Sequence, residues 1–191
     1  MRRRKLTTAA VVVLALELMA CSSVGMYRPR HMADGRVWTT RNLALRVASS
    51  YCYNDDDANC RVYGRLYVWD SAQRACELLG RYWRLPRDDE WRRLARAYSA
   101  SGENPDDGRA SYAALIDEGA AHFNALLGGS RSPEGEYARL GAHGLYWAGT
   151  ASEPSGRWYY NFAGGSQALH SQDGGDEQRA LSVRCIRDTQ G

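Results

Sequence analysis

Lysine is all but missing from this chain: of 25 Lys and Arg residues only Lys5 is a lysine. That bias reads as genomic composition before function. Phenylalanine is also scarce, two residues against six Trp and twelve Tyr. Amphipathic rings of this kind suit half-buried strand faces and binding surfaces, and ordinary strand packing is their simpler use. No apolar run is long enough for a comfortable membrane span, because the N-terminal one is short and interrupted by Glu17. His31, His122, His143 and His170 are scattered without metal-ligand spacing. A Gly-rich phosphate loop, a nucleophile elbow and a paired His/Glu motif are all absent. Nothing in the sequence therefore assembles a catalytic constellation.

What is present begins with "MRRRKLTTAAVVVLALELMAC": a cationic start, a short apolar run, then Ala20-Cys21. This is the layout of an export signal. Leu18-Met19-Ala20-Cys21 resembles a bacterial lipobox, which makes Cys21 the expected lipid-bearing first residue of the mature chain. Ordinary cleavage nearby or an uncleaved anchor are the alternatives. Ser22 follows, with no Asp to argue for retention on an inner membrane, so the outer membrane or the cell surface is the expected location. Residues 1–20 hold four of the 25 basic and one of the 22 acidic residues, which leaves 21 of each in the remainder. The exported chain is formally neutral, and no basic field suggests nucleic acid as a partner.

Four cysteines remain after Cys21: Cys52, Cys60, Cys76 and Cys185. An even number in an exported chain implies disulfides, with three pairings open. Cys52 and Cys60 flank "YNDDDAN", so a local bridge is the simplest choice. Cys76 and Cys185 would then tie an early helix to the last strand.

Residues 21–33 read as a tether. "GRVWTTRNLAL" (35–45) reads as a first strand, "YCYNDDDANC" as a loop, and "YGRLYVW" (63–69) as a strand or a lead-in to a helix. Asp70 is a good N-cap for "SAQRACELL", with Gly80 at the stop and Ala72, Cys76 and Leu79 on one face. In "WRLPRDDEW" (83–91) Asp88 takes the N-cap position, and Asp89 and Glu90 sit in the first turn, where acids favour the positive end of a helix. Trp91, Leu94, Ala95 and Tyr98 then share one face. Those three acids are thus read as a helix start, not as an acidic catalytic site. Residues 99–110 read as a loop, and 111–127 as a helix or two short ones broken at Gly119. "LYWAGT", "RWYYNFA" and "RALSVRCIRD" read as short strands between polar turns. The order predicts an α+β fold with two N-terminal helices and short antiparallel strands, stabilised by disulfides.

Six stretches occur together: "DGRVWTTRNL" (34–43), "YCYNDDDANCRVYGRLYVWDSAQRAC" (51–76), "WRLPRDDEW" (83–91), "FNALLGGSR" (123–131), "GLYWAGT" (144–150) and "LSVRCIRD" (181–188). In this order they resemble the Fibrobacter succinogenes major paralogous domain family, over most of residues 34–188, with 189–191 as a tail. The resemblance implies a fold related to C-type lectin-like domains, with chain ends close together and a helix-to-last-strand disulfide like Cys76–Cys185. It also implies a surface or secreted bacterial protein. No catalytic residue can be carried over from it.

Two metal-binding ideas follow. C-type lectins use a Glu-Pro-Asn type tripeptide for calcium. Here "EPSG" (153–156) keeps Glu153 but departs at Ser155, and the nearby strand offers Asn161 without an acid, so a plain turn is the preferred reading. Asp55, Asp56 and Asp57 supply enough oxygen for a calcium site, against the blander reading of a solvated acidic turn. Trp147, Trp158, Tyr159 and Tyr160 are the candidate ligand-stacking residues, about half of which strand alternation can turn outward. The expected function is a lipid-anchored envelope module that binds carbohydrate or a cell-surface protein without catalysis or an obligatory cofactor. Its rivals are a structural envelope lipoprotein and an enzyme of the formylglycine-generating type, which needs a reactive cysteine pair.

Overall fold

Apolar residues on both faces of a single strand organise the domain. The computed structural model describes residues 25–99, 108–152 and 156–188. The expected signal peptide, Cys21, Glu153 and the tail at 189–191 lie outside them.

In chain order, β1 (Arg30–His31) pairs with β2 (Val37–Trp38), and β3 (Ser50–Tyr51) pairs with β4 (Leu66–Tyr67). A 3-10 turn (Tyr53–Asp55) and α1 (Asp57–Tyr63) lie between β3 and β4. Then come α2 (Trp69–Glu77), β5 (Trp83–Arg84), α3 (Asp88–Ala97) and α4 (Arg109–Leu115). The second half supplies β6 (Gly128–Arg131), β7 (Tyr137–Leu140), β8 (His143–Ala151), β9 (Arg157–Ala163), β10 (Ala168–Gly175) and β11 (Ile186–Arg187). One sheet runs β1-β2-β11-β5, a second β10-β9-β8-β6-β7, and a third is the β3-β4 pair. All pairings are antiparallel except β6 with β8. The α+β class holds. Among the described residues no helix is long and apolar enough to cross a membrane.

Successive side chains of a strand point to opposite faces. On β8, Leu145 and Trp147 enter one buried cluster with Leu43, Tyr67, Ala72, Cys76 and Val183. Tyr146 and Ala148 enter the other, with Trp38, Trp91, Leu94, Phe123, Tyr160 and Phe162. The first cluster is closed by α2 and the Cys76–Cys185 disulfide, and the second by α3 and α4. Trp91 is the hub of the aromatic side. Its ring stacks on Tyr160 at 5.0 Å and meets Trp38 edge-on at 4.9 Å. The shortage of Phe therefore reflects a core built from rings with polar handles: Trp147 Nε1 donates to the Tyr67 carbonyl and Trp91 Nε1 to the Trp147 carbonyl.

Several local expectations shift. α2 begins at Trp69, so Asp70 lies in its first turn rather than at its cap. In α3 the cap is Arg87: its backbone N–H donates to Glu90 at 2.8 Å, and Asp88 is the first helical residue. Only Val37–Trp38 of the expected first strand is paired. The Asp-rich segment expected as a loop carries α1, capped by the Asp56 carboxylate accepting from the Ala58 N–H. The expected tether is folded from Tyr27 onward. Tyr27 and Met32 are buried, and β1 and β11 both pair with β2, which brings the two ends of the domain into one sheet.

Both disulfides form as paired in the sequence reading, Cys52–Cys60 and Cys76–Cys185. Both bridges, and every member of the two buried clusters among the described residues, fall within residues 25–188.

Candidate functional site

Most of the residues singled out for ligand contact are built into the core. Trp147 is 0% and Tyr160 2% exposed, and Asn161 is buried with its Oδ1 2.9 Å from His143 Nδ1. The Tyr160 hydroxyl donates to Asp88, and burial, first of all, pushes its pKa far up. Trp158 and Tyr159 are half-buried: Tyr159 packs on the first cluster, and Trp158 packs on the second beneath Arg92. Strand alternation was expected to turn about half of the four rings outward, and two of them, Trp158 and Tyr159, keep partial contact with solvent while helices and loops cover the rest of both faces of β8 and β9.

The three aspartates do not converge either. Asp55 accepts from the Tyr137 hydroxyl at 2.7 Å, an interaction that, with burial as the larger cause, lifts that phenol to about 12. Asp56 caps α1, and Asp57 lines a cleft on the far side. Among the described residues no group of three or more His, Cys, Asp or Glu is arranged to hold a metal ion. The acids of "WRLPRDDEW" are structural. Buried Glu90 takes both its oxygens to Arg84 at 2.7 and 2.8 Å, and Arg84 also reaches Asp188 at 2.6 Å. Burial alone would raise the Glu90 carboxyl, but Arg84 and the Arg87 N–H outweigh it and hold it below its ordinary value.

Elsewhere the described residues line a cleft of about 720 Å³, in the range of ligand sites. One wall is α1, pinned by Cys52–Cys60, with Asp57, Arg61 and Val62 on it. The opposite wall is Met26–Arg28 with Thr40–Asn42, and Asp117, Asn124 and Leu126 close the third side. Gly64 lets α1 turn away sharply: its φ is +77°, and a Cβ there would stand 2.6 Å from the Leu43 carbonyl oxygen. Four arginines line the cleft (Arg28, Arg41, Arg61, Arg65) against two aspartates. Arg65 is committed to Ser50, whose carbonyl and hydroxyl it reaches at 2.5 and 3.0 Å. No ion pair or side-chain hydrogen bond within the described residues holds Arg28, Arg41 or Arg61. A second pocket of about 370 Å³ shares Arg28, Thr40 and Asn124 and adds Arg30 and His122.

A fifth guanidinium lies beneath this floor. Arg184 is fully buried without a carboxylate in contact. It donates to Asn42 Oδ1 (2.8 Å) and to the carbonyls of Thr39 (3.1 Å), Phe123 (2.7 Å) and Asn124 (2.5 Å). The rings of Phe123 and Tyr146 flank it at 4.6 and 5.8 Å. Burial pushes its pKa down, with Tyr146 and Asp117 opposing, and a guanidinium remains charged even so. Asn42 joins core to cleft, since it lines the cleft while accepting from Arg184 and the Tyr146 hydroxyl and donating to the Tyr63 carbonyl. This positive charge under a cleft already rich in arginine biases the site toward anions. The sequence reading had singled out Asp57 and Cys60 for other reasons and missed the arginines and Asn42. The only available signals were the exclusive use of Arg, taken as composition, and a lone Arg at an interior position of "LSVRCIRD".

A family model for the Fibrobacter succinogenes major domain matches residues 27–187. No curated protein and no solved structure matches the chain significantly. The matched range starts at buried Tyr27 and ends in β11, so it spans both cores and every residue of the arginine cleft but Met26. The chain belongs to the Fibrobacter succinogenes major domain family.

Proposed function

We propose that this protein is a lipid-anchored binding module of the bacterial envelope, held at the outer membrane or cell surface through Cys21, and that it captures an anionic group in the arginine cleft. The observation that carries the reading is the set of unpaired arginines, Arg28, Arg41 and Arg61, around a cleft of about 720 Å³ with Arg184 beneath. Unpaired guanidinium groups offer forked donors suited to carboxylate or phosphate. A relation to C-type lectin-like domains is part of the same proposal. It is supported by the meeting of β1 and β11 on β2 and by the disulfide from α2 to the residue before β11. The sugar-stacking aromatics of the earlier expectation are largely committed to the core, so recognition by charge replaces recognition by ring stacking. The four domain cysteines are held in two bridges, which supports binding over chemistry that needs a reactive thiol pair.

The test is a binding screen of the folded domain against envelope glycans with and without carboxylate or phosphate groups, repeated with Arg41→Glu/Arg61→Glu. Acidic glycans should bind, lose affinity as salt rises, and fail on the double variant. Equal binding of neutral glycans, unaffected by the substitutions, would remove the cleft from consideration. Silence throughout would favour the structural-lipoprotein reading.

A further inference from the structure

Large hydrophobic side chains stand more than a third exposed at four described positions, and two of them line the arginine cleft: Met26 at 64% and Val62 at 60%. They come from opposite walls, one from the entry of the chain into the domain and one from α1. A deep site for a soluble anion has no use for exposed apolar groups at its edge. Arginines interleaved with exposed apolar side chains form the pattern of a surface that rests at the boundary between headgroups and acyl chains. The same face continues into the second pocket through Arg28 and Arg30.

Chain length points the same way. Five residue steps separate Cys21 from Met26, and an extended chain covers at most about 3.3–3.6 Å per residue. A lipid on Cys21 would therefore hold the edge of the cleft within about 18 Å of its own attachment point. Arg28 and Arg30 follow at once. The effective field of an anionic membrane surface falls off over about 8 Å at physiological salt. A tether this short keeps the arginine face within a few such lengths of the bilayer.

We infer that the anion taken by the cleft is the phosphate of an anionic phospholipid headgroup in the membrane that carries the anchor. Arg28, Arg41 and Arg61 bind the phosphate oxygens, and Met26 and Val62 enter the headgroup boundary on either side. The inference rests on the cleft being the ligand site and on Cys21 being the anchor. It adds the partner and the orientation: the cleft faces the membrane, while α3, with Arg92 and Arg93 paired to Asp88 and Asp89, lies outside the contact.

The experiment uses the oxidised chain from Ser22 onward, which retains both cores and both disulfides, so that no acyl chain contributes to binding. Co-sedimentation compares vesicles of phosphatidylcholine alone with vesicles containing phosphatidylglycerol. Free inorganic phosphate, glycerol phosphate and an acidic glycan are titrated in parallel. The expected result is selective binding to phosphatidylglycerol vesicles that weakens about fivefold for each of Arg28, Arg41 and Arg61 changed to Gln. Met26→Gln/Val62→Thr, which adds no charge, should weaken vesicle binding more than any binding of glycerol phosphate. Arg92→Glu/Arg93→Glu, outside the cleft, should bind as the parent does. Variants are compared only where their thermal unfolding matches the parent. Arginine-dependent binding of the acidic glycan or free phosphate, without vesicle selectivity, would overturn the lipid assignment and leave the cleft as a site for soluble anions. Vesicle binding unchanged by the three arginine substitutions would overturn it too. If neither vesicles nor soluble anions bind, both this inference and the cleft reading fall.

Discussion

Arg184 offers the sharpest stability test, because its charge is fully buried and held by dipoles with no carboxylate in contact. Its guanidinium satisfies four acceptors: Asn42 Oδ1 and the carbonyls of Thr39, Phe123 and Asn124. Arg184→Met preserves much of the volume but strips the donor from each acceptor. Unmade buried hydrogen bonds cost about 1–3 kcal/mol each, and relief from burying a charge offsets part of that sum. Broken buried charge networks give a net loss of about 3–5 kcal/mol, and that is the expected value here. Arg184→Lys keeps the charge but has three donors on one atom, so it cannot span four acceptors arranged around a planar fork. One or two acceptors lose their partner, for about 2–3 kcal/mol. At about 2–4 °C per kcal/mol for a domain of this size, Arg184→Met should lower Tm by about 6–20 °C. Urea unfolding of oxidised protein, with the slope unchanged, is the assay. A loss below about 1 kcal/mol for Arg184→Met, or neutrality of Arg184→Lys, would show that the carbonyl cage does not depend on the forked donor.

Two further outcomes follow from the same structure. Removing Cys76–Cys185, which spans 109 residues, should cost about 5 kcal/mol by loop entropy, against about 2.5 kcal/mol for Cys52–Cys60, which spans 8. Double Cys→Ala variants compared by denaturant midpoint read this difference, and equal losses would refute the ordering. Glu90 is held below its ordinary pKa in the folded state, so the unfolded chain takes up its proton first. The stability it confers is complete above the unfolded value of about 4.3 and is lost as pH falls through the lower folded value. Stability profiles of the parent and Glu90→Gln between pH 6 and 2 should therefore converge in acid, and parallel curves would refute the assignment.

Legibility in the sequence tracked burial with a period. α2 and α3 carry one apolar face each, so their spacing was readable, although their starts were misplaced by two positions and by one. α1 has no buried residue. Its stability comes from the Asp56 cap and a disulfide, and without an apolar stripe it read as a loop. β10 was missed for the same reason: "ALHSQDGG" is an edge strand with several exposed positions and no alternation. β6, with Gly128 and Gly129, reads as a turn until β7 and β8 pair on either side of it.

The candidate site was the least legible part. Aromatics in strands signal either a binding face or a doubly covered sheet, and local periodicity is the same for both. What covers each face depends on α2 on one side and on α3 and α4 on the other, all distant in the chain. The arginine cleft is likewise assembled from five separate segments, none of which is a motif. By itself the sequence determined the family, the α+β class and the role of the three acids after Pro86, because each rests on local pattern or on an ordered series of motifs; it favoured one of three disulfide pairings, and the fold fixed it. Only the tertiary structure decided which aromatics are buried and which arginines stand together unpaired, because burial and charge proximity are properties of residues brought side by side by folding.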